Sequence, residues 1–258
     1  MKIAVLVKQV PDHEAIVHVK SEQELDIEER YVCSFFDEIA VEAALNIKKN
    51  NEDAELIALS AGGKKSVDAL RRAVAMGIDQ VEHLGDESLV SADSYYVAHV
   101  LAARLKRLQP DLILCGKQAG DDDFAAVGPM VAEVLDIPHV SAVVSIGINE
   151  DKDKITVGRE AEGEVWFLES GFPLLISAEK GLAEPHVPVV TRVMKAMRTQ
   201  IQNIPIEELD LQDKNPGGRL RRIRYTAPPK RQQVTMMKEP FPQNVAELVD
   251  HLKKDGVL

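Results

Sequence analysis

Aromatic residues make up only 4% of this 258-residue chain, with a single Trp. Rings this sparse leave little to stack on an isoalloxazine, so the chain alone does not read as the main holder of a flavin. Cysteine is sparser still. Cys33 and Cys115 give neither a metal-ligand spacing nor a disulfide framework, and read as small buried hydrophobes in a reducing compartment. Positive charge is in deficit: 31 Lys and Arg stand against 42 Asp and Glu, for a formal net charge of −11 and a pI near 5.2. A general nucleic-acid binder needs a basic face, and this balance argues against one. A nucleotide site is not excluded, because such sites are local and use backbone donors. No window approaches the ~20 apolar residues of a membrane span. The opening MKIAVLVKQVPD begins a strand at once, without the apolar run and cleavage site of a signal peptide. The expectation is a soluble cytoplasmic protein. Catalytic signatures are missing too. His13, His18, His83, His99, His139, His186 and His251 form no HExxH, and no GxSxG elbow occurs. Neither GxGxxG nor a Walker loop is present, so any nucleotide is held by another kind of turn.

What the chain does have is 45% hydrophobic residues in an alternating β and α pattern. Short apolar strands are expected at 3–7, 55–60, 80–84 and 111–115. Helices are expected at 36–49, 65–76, 91–108 and 124–135, where apolar residues recur three and four apart. Gly77 should end the second helix, and Ser91 or Asp93 should cap the third. Residues 13–30 read as polar and extended. Residues 139–148 and 154–160 read as paired strands, and 164–169 and 173–178 continue the β pattern. Trp166 and Phe167 fit a strand with one buried face. The fold class is therefore α/β: a Rossmann-like parallel sheet with helices on both faces, antiparallel edge strands and an extended C-terminal arm.

The most informative stretch is LILCGKQAGDDDFAAVGP, residues 112–129. An apolar strand ends at Gly116, and an apolar helix follows from about Phe124. Between them lie Lys117, Gln118, Gly120 and the acids Asp121, Asp122 and Asp123. Small residues let the backbone approach a ligand, and free N–H groups at a helix start attract phosphate. The acids fall where helix N-caps fall, so they are expected to hold the loop rather than the ligand; a Mg²⁺ site is the alternative. This junction, the turn at 60–63 and the end of the first strand share the carboxyl edge of the sheet, where open α/β folds bind ligands.

From Glu184 the character changes. EPHVPVVTRVMKAMRTQI has two prolines and little periodicity. Beyond Asn203 come Pro205, Pro216, Gly217 and Gly218, then a basic run at Arg219, Arg221, Arg222 and Arg224, then Pro228-Pro229. Such a tail is an arm laid across a partner or a disordered linker. Residues 244–254 form a short amphipathic helix, whose apolar face needs something to pack on. The organisation expected is a nucleotide-binding domain over 1–200, with a loop at 184–196, followed by an arm over 201–258.

Six segments, in order, resemble the beta subunit of electron transfer flavoprotein: MKIAVLVKQVPD, FFDEIAVEAAL, ALRRAVAMGID, GKQAGDDD, VGREAEGEV and EPHVPVVTRVMKA. The resemblance implies a heterodimer in which an alpha subunit carries the redox-active FAD and the C-terminal arm embraces that subunit. It implies a structural AMP in this chain or, in the electron-bifurcating form, a second and catalytic FAD. It implies an electron carrier serving acyl-CoA or other flavin dehydrogenases and a quinone oxidoreductase. A stand-alone adenine-nucleotide-binding protein of the same fold is the alternative from another class.

Carried over by position, the resemblance places the nucleotide against Leu6, Ser34, Phe35, Phe36, Asp37 and Ala61. It adds the loop Gly116, Lys117, Gln118, Ala119, Gly120, Asp121, Asp122, Asp123, Phe124, Ala125, Ala126 and Val127. Ser34-Phe35-Phe36 stands where the family usually has Asn-Pro-Phe. Gly120 replaces an aliphatic residue, and Phe124 and Ala126 replace polar ones. The triple acid and the MKA ending resemble the AMP type, whereas Val127-Gly128-Pro129 resembles the bifurcating type. The segment 184–196 resembles the loop that grips the dehydrogenase, with Glu184, Pro185, Met194, Lys195 and Ala196 matching it. Val190 stands at the position of an apolar anchor; the alternative is that Val189 and Val190 are a buried strand end. Glu160 matches an acid that steers the mobile flavin domain, or is a solvated strand acid.

Overall fold

The computed structural model describes residues 1–211, 218–229, 234 and 236–258; Pro216 and Gly217 lie outside them. The chain opens with β1 (Lys2–Leu6), buried on both faces. Its side chains alternate between two cores: Ile3 and Val5 join one, Ala4 and Leu6 the other. A doubly covered strand must be apolar throughout, which is why KIAVL shows no polar alternation.

The stretch expected to be merely extended is built of two ribbons. β2 (Gln9–Pro11) pairs with β5 (Tyr31–Cys33), and between them β3 (Val17–Ser21) and β4 (Glu24–Ile27) form a hairpin. The hairpin's side chains are mostly exposed. Its pairing is carried by backbone bonds, which leave little mark on the sequence.

The regular αβ repeat follows: α1 (Phe35–Asn50), β6 (Glu55–Gly62), α2 (Val67–Met76) and β7 (Gln80–Gly85). Gly77 ends α2 at φ 133°, donating to the Ala73 and Val74 carbonyls. α3 (Ser94–Leu108) starts three residues later than expected, following a separate turn over residues 87–90. Asp93 caps it, its Oδ1 accepting from Tyr96 N at 2.9 Å. After β8 (Leu112–Gly116), α4 (Val127–Leu135) starts three residues later than the apolar pattern indicates. Asp123 and Ala125 have φ of 52° and 51°, and a right-handed helix cannot contain such residues.

The next strands are β9 (His139–Ile148), β10 (Lys154–Ala161), β11 (Glu164–Gly171) and β12 (Leu174–Ala178). β12 does not extend the antiparallel edge as its place in the sequence suggests. It inserts between β8 and β9, parallel to both. The sheet order is β11-β10-β9-β12-β8-β1-β6-β7-β13, where β13 is Gln202–Asn203. Only β10 runs against the others. β11 is the terminal strand, and Trp166 and Phe167 on it are 53% and 73% exposed. The expectation of a buried face there was wrong, since both faces of β11 are open to solvent.

Residues 190–198, expected to be irregular, are the helix α5 (Val190–Arg198), packed on α2. The prolines at 185 and 188 precede it and do not interrupt it. The final helix, α6 (Gln243–Lys254), has no buried residue. Two core layers enclose the sheet: α1 and α2 cover one face, α3 and α4 the other. No helix among the described residues is long and apolar enough to cross a membrane.

Candidate functional site

The carboxyl edge of the parallel strands gathers the turns that the sequence singles out. Asp37 joins two of them. Its Oδ2 accepts from the backbone N–H of Lys8 after β1, and its Oδ1 from that of Gly116 at the end of β8, both at 2.8 Å. Burial pushes its carboxyl up to about 7, against the opposing pull of the Lys8 and Gly116 N–H groups. Gly116 is needed for this contact. A Cβ there would stand 2.5 Å from Asp37 Oδ1 and 2.7 Å from Phe36 Cβ.

The triple acid holds the loop, but not as a helix cap. Ala126 occupies the N-cap position of α4 and makes no side-chain cap. Asp121 and Asp122 instead grip Lys8 Nζ at 2.7 and 3.0 Å. Burial works against the Lys8 ammonium, yet the Asp121 and Asp122 carboxylates outweigh it and raise its pKa. Asp123 accepts from Gln118 Nε2 at 2.8 Å, and Lys117 pairs with Glu179. Among the described residues no group of three or more His, Cys, Asp or Glu is arranged to hold a metal.

Between these turns lie two buried hydroxyls. Ser34 and Ser60 are almost wholly shielded from solvent, yet Ser34 Oγ and Ser60 Oγ have no hydrogen-bond partner. Ser34 stands at the N-cap of α1 without capping it, and its N–H bonds Lys8 O at 2.9 Å. Ser60 sits at the end of β6, beside half-buried Ala61. A buried hydroxyl without a partner is costly, by roughly 1–3 kcal/mol, and calls for one. Both segments are bonded to the chain leaving β1, Ser34 N to Lys8 O and Leu59 O to Val7 N, and two orphaned hydroxyls there fit a polar ligand such as the sugar or phosphate of a nucleotide. Leu6 is buried below them, while Phe35, Phe124 and Ala125 are exposed at the rim.

The residues expected at a docking surface gather elsewhere, except one. His186 Nδ1 and backbone N–H both meet the buried Glu42 carboxylate of α1, and Arg192 Nη1 donates to Met76 O at the end of α2. These bonds hold 184–198 against the α1–α2 face. Val187 and Val190 are 85% and 77% exposed, and Val189, Met194 and Met197 are exposed beside them. Val190 is thus an open helix residue, and a buried strand end is overturned. Glu184 and Lys195 are exposed, Pro185 is half-buried, and Ala196 is buried, anchoring the helix instead of facing outward. Glu160 lies on β10, five strands away from β6, roughly 24 Å by strand spacing, so it does not belong to this patch.

Sequence reasoning missed Glu42 and the Asp93 anchor, and it named Ser60 only as the start of the turn at 60–63. Glu42 carried a signal, an acid among the inward residues Ile39 and Ala43 of α1. Asp93 was named as a cap, but its second role is visible only in three dimensions. Its Oδ2 also accepts from Arg219 N and Leu220 N, at 2.5 and 2.8 Å.

Comparison with known proteins agrees with this architecture. Residues 26–210 match the electron transfer flavoprotein domain. The chain is 38% identical over 226 residues to the electron transfer flavoprotein subunit beta of Megasphaera elsdenii, covering 84% of this chain and 83% of that protein. It is 33% identical to the mitochondrial subunit beta of Arabidopsis thaliana and 29% identical to the subunit beta of Bacillus subtilis, covering 99% of both chains in each case.

Proposed function

The chain belongs to the electron transfer flavoprotein beta-subunit family, and from that membership we propose that it holds a structural AMP and docks flavin dehydrogenases for an FAD-bearing alpha subunit. The observation that carries the nucleotide part is the pair of buried, unpartnered hydroxyls, Ser34 Oγ at the N-cap of α1 and Ser60 Oγ in β6. Backbone N–H groups of the 116–127 loop and these hydroxyls would hold the adenylate. Asp37 fixes the two strand ends between which it sits.

The carrier reading follows from the family, whose name is that of an electron transfer flavoprotein. The FAD of the alpha subunit supplies the redox chemistry. This chain's share is to bind, to position and to recruit. Recruitment falls to the open apolar group Val187, Val189 and Val190. An apolar side chain on a segment stiffened by Pro185 and Pro188 loses little entropy on docking. The exposed helix α6 and the arm before it are the surface offered to the alpha subunit.

Acid extraction of the purified heterodimer tests the reading directly. One AMP and one FAD per complex are expected. Two FAD would establish the bifurcating form instead. An extract without adenine nucleotide beyond the alpha subunit's FAD would overturn the assignment.

A further inference from the structure

The exposed β3–β4 hairpin and the stretch 218–225 of the arm have no task in the function described so far, and they are joined to one another. Asp93 stands at the start of α3. Its Oδ1 caps the helix through Tyr96 N, and its Oδ2 accepts from two successive arm N–H groups, Arg219 at 2.5 Å and Leu220 at 2.8 Å. Successive backbone N–H groups of this kind form a concave grip for an anion. Burial works against the Asp93 carboxylate, yet the N–H groups of Tyr96, Arg219, Leu220 and Tyr95 outweigh it and hold its pKa below the ordinary 3.8. Gly218 admits the grip: its φ is 63°, and a Cβ there would collide with the Asp93 carboxylate. The Arg219 guanidinium lies 4.8 Å over the Tyr95 ring, with Nη2 3.3 Å from Tyr95 Oη.

The same stretch is pinned a second time. Tyr225 N donates to Glu22 O at 2.8 Å, and Gln23 Nε2 donates to Ile223 O at 2.9 Å. Glu22 and Gln23 are the tip between β3 and β4. A two-stranded hairpin alone is marginally stable in water, so these bonds steady the hairpin as well as the arm. Residues 219–225 are thus held at both ends by anchors that the chain's own body contributes.

The far end of the arm is placed differently. No residue of α6 is buried, and Phe241, Val245 and Leu248 are exposed. The arm is therefore fixed at 219–225 and open at its final helix. A segment with one end fixed explores fewer arrangements than one free over its whole length, so it loses less entropy on docking.

We propose that Asp93 and the hairpin tip form a mount, which holds the arm on this chain before any partner arrives and sets the direction in which α6 leaves for the alpha subunit. Asp93 is a positioning residue in this, apart from its task as a helix cap. The proposal deepens the arm reading given above and rests on it: the exposed helix supplies the contact, and the mount supplies its orientation.

Amide hydrogen exchange on the full chain, and its rate of association with the FAD-bearing alpha subunit, test the mount in wild type, Asp93→Ser, Gln23→Ala and Leu248→Asp. Serine keeps a cap for α3 but has one oxygen where the carboxylate has two. In Asp93→Ser, exchange at Arg219 and Leu220 is expected to rise, and association to slow, each roughly tenfold, as for the loss of a charge-assisted hydrogen bond. Gln23→Ala leaves the α3 cap untouched and decides the question even if Asp93→Ser lowers stability. It should free the arm near Tyr225 and slow association about threefold, as for one neutral bond. Unprotected Arg219 and Leu220 amides in wild type, or equal protection in Asp93→Ser, would overturn the mount. So would an association rate equal to wild type once those amides are freed. Leu248→Asp separates the two readings. Slower association there, with neither mount variant affected, overturns the mount alone. Unchanged association in Leu248→Asp as well removes the arm reading and the mount together.

Discussion

The crevice at the sheet edge and the outer face of α5 invert the ordinary partition of residues in opposite ways. In the crevice, polar groups are buried. Asp37 is enclosed and bonded to two backbone N–H groups, and Ser34 and Ser60 are enclosed without any partner. On α5 and the turn before it, apolar groups are exposed, Val187, Val190 and Met197 among them. Each departure raises the free energy of the lone chain, and each is relieved by a particular kind of partner. A buried unpaired hydroxyl calls for a hydrogen-bonding ligand. An exposed apolar cluster calls for another protein surface. On the proposed function, the first departure would be relieved by a resident nucleotide and the second by a docking partner.

The largest effect should come from Asp37. Asp37→Ala leaves the Lys8 and Gly116 N–H groups without their acceptor, at about 3 kcal/mol in urea unfolding. Asp37→Asn should also be destabilising, because an amide presents a donor to one of two donors. The pH dependence has a fixed sign. The folded carboxyl keeps its proton up to about pH 7, whereas the unfolded chain releases it near 3.8. Between these values the native state binds more protons, so this group's contribution to stability falls as pH rises from about 4 to 7 and levels off above. The stability difference between wild type and Asp37→Asn should shrink over that window. A difference that grows with pH would show that the carboxylate is held as an anion and that the crevice is more polar than its burial indicates.

Gly116→Ala comes next. The added methyl meets Asp37 and Phe36 within 3 Å, an overpacking of roughly 1–3 kcal/mol, and nucleotide content should fall with stability. If content falls while stability holds, the glycine serves the ligand more than the fold.

Val190→Asp tests the other region. The residue is open to solvent, so the melting temperature should not move beyond the ±0.5 kcal/mol typical of surface changes. Electron transfer from the dehydrogenase should require about tenfold more carrier, the loss expected of an interface anchor near 1.4 kcal/mol. Unchanged kinetics would move the docking surface away from α5 and dissolve the contrast.

The two regions also differ in how far the sequence revealed them. The crevice strands were legible because doubly buried strands must be continuously apolar, as in KIAVL and LILC. Gly77 and Asp93 marked their helix ends for the same local reasons. The insertion of β12 between β8 and β9 was not legible, because strand order depends on nonlocal pairing that neighbouring residues do not encode. The start of α4 was misplaced since apolarity continues through Phe124 and Ala125, while the left-handed backbone at Asp123 and Ala125 comes from the loop's own contacts. α5 was hidden by Pro185 and Pro188, whose influence ends before Val190. The tie between Asp93 and Arg219 could not be foreseen at all, because the two are 126 residues apart.

The smallest effect is expected at the clasp of the acid loop. Lys8→Met removes the ion pairs with Asp121 and Asp122, whose side chains are 28% and 35% exposed against 42% for Lys8. Exposed pairs of this kind contribute about 0–1 kcal/mol. With its pKa raised, Lys8 is charged throughout the neutral range, and its contribution is lost only as pH climbs past the ordinary lysine value of 10.5. The loss in Lys8→Met, followed by urea unfolding, should fade in 1 M salt, where the Debye length is about 3 Å. A salt-independent loss above ~2 kcal/mol would place the clasp inside the crevice instead of at its rim. Asp121 and Asp122 would then count, with Asp37, among the buried charges that set this region apart from the open face of α5.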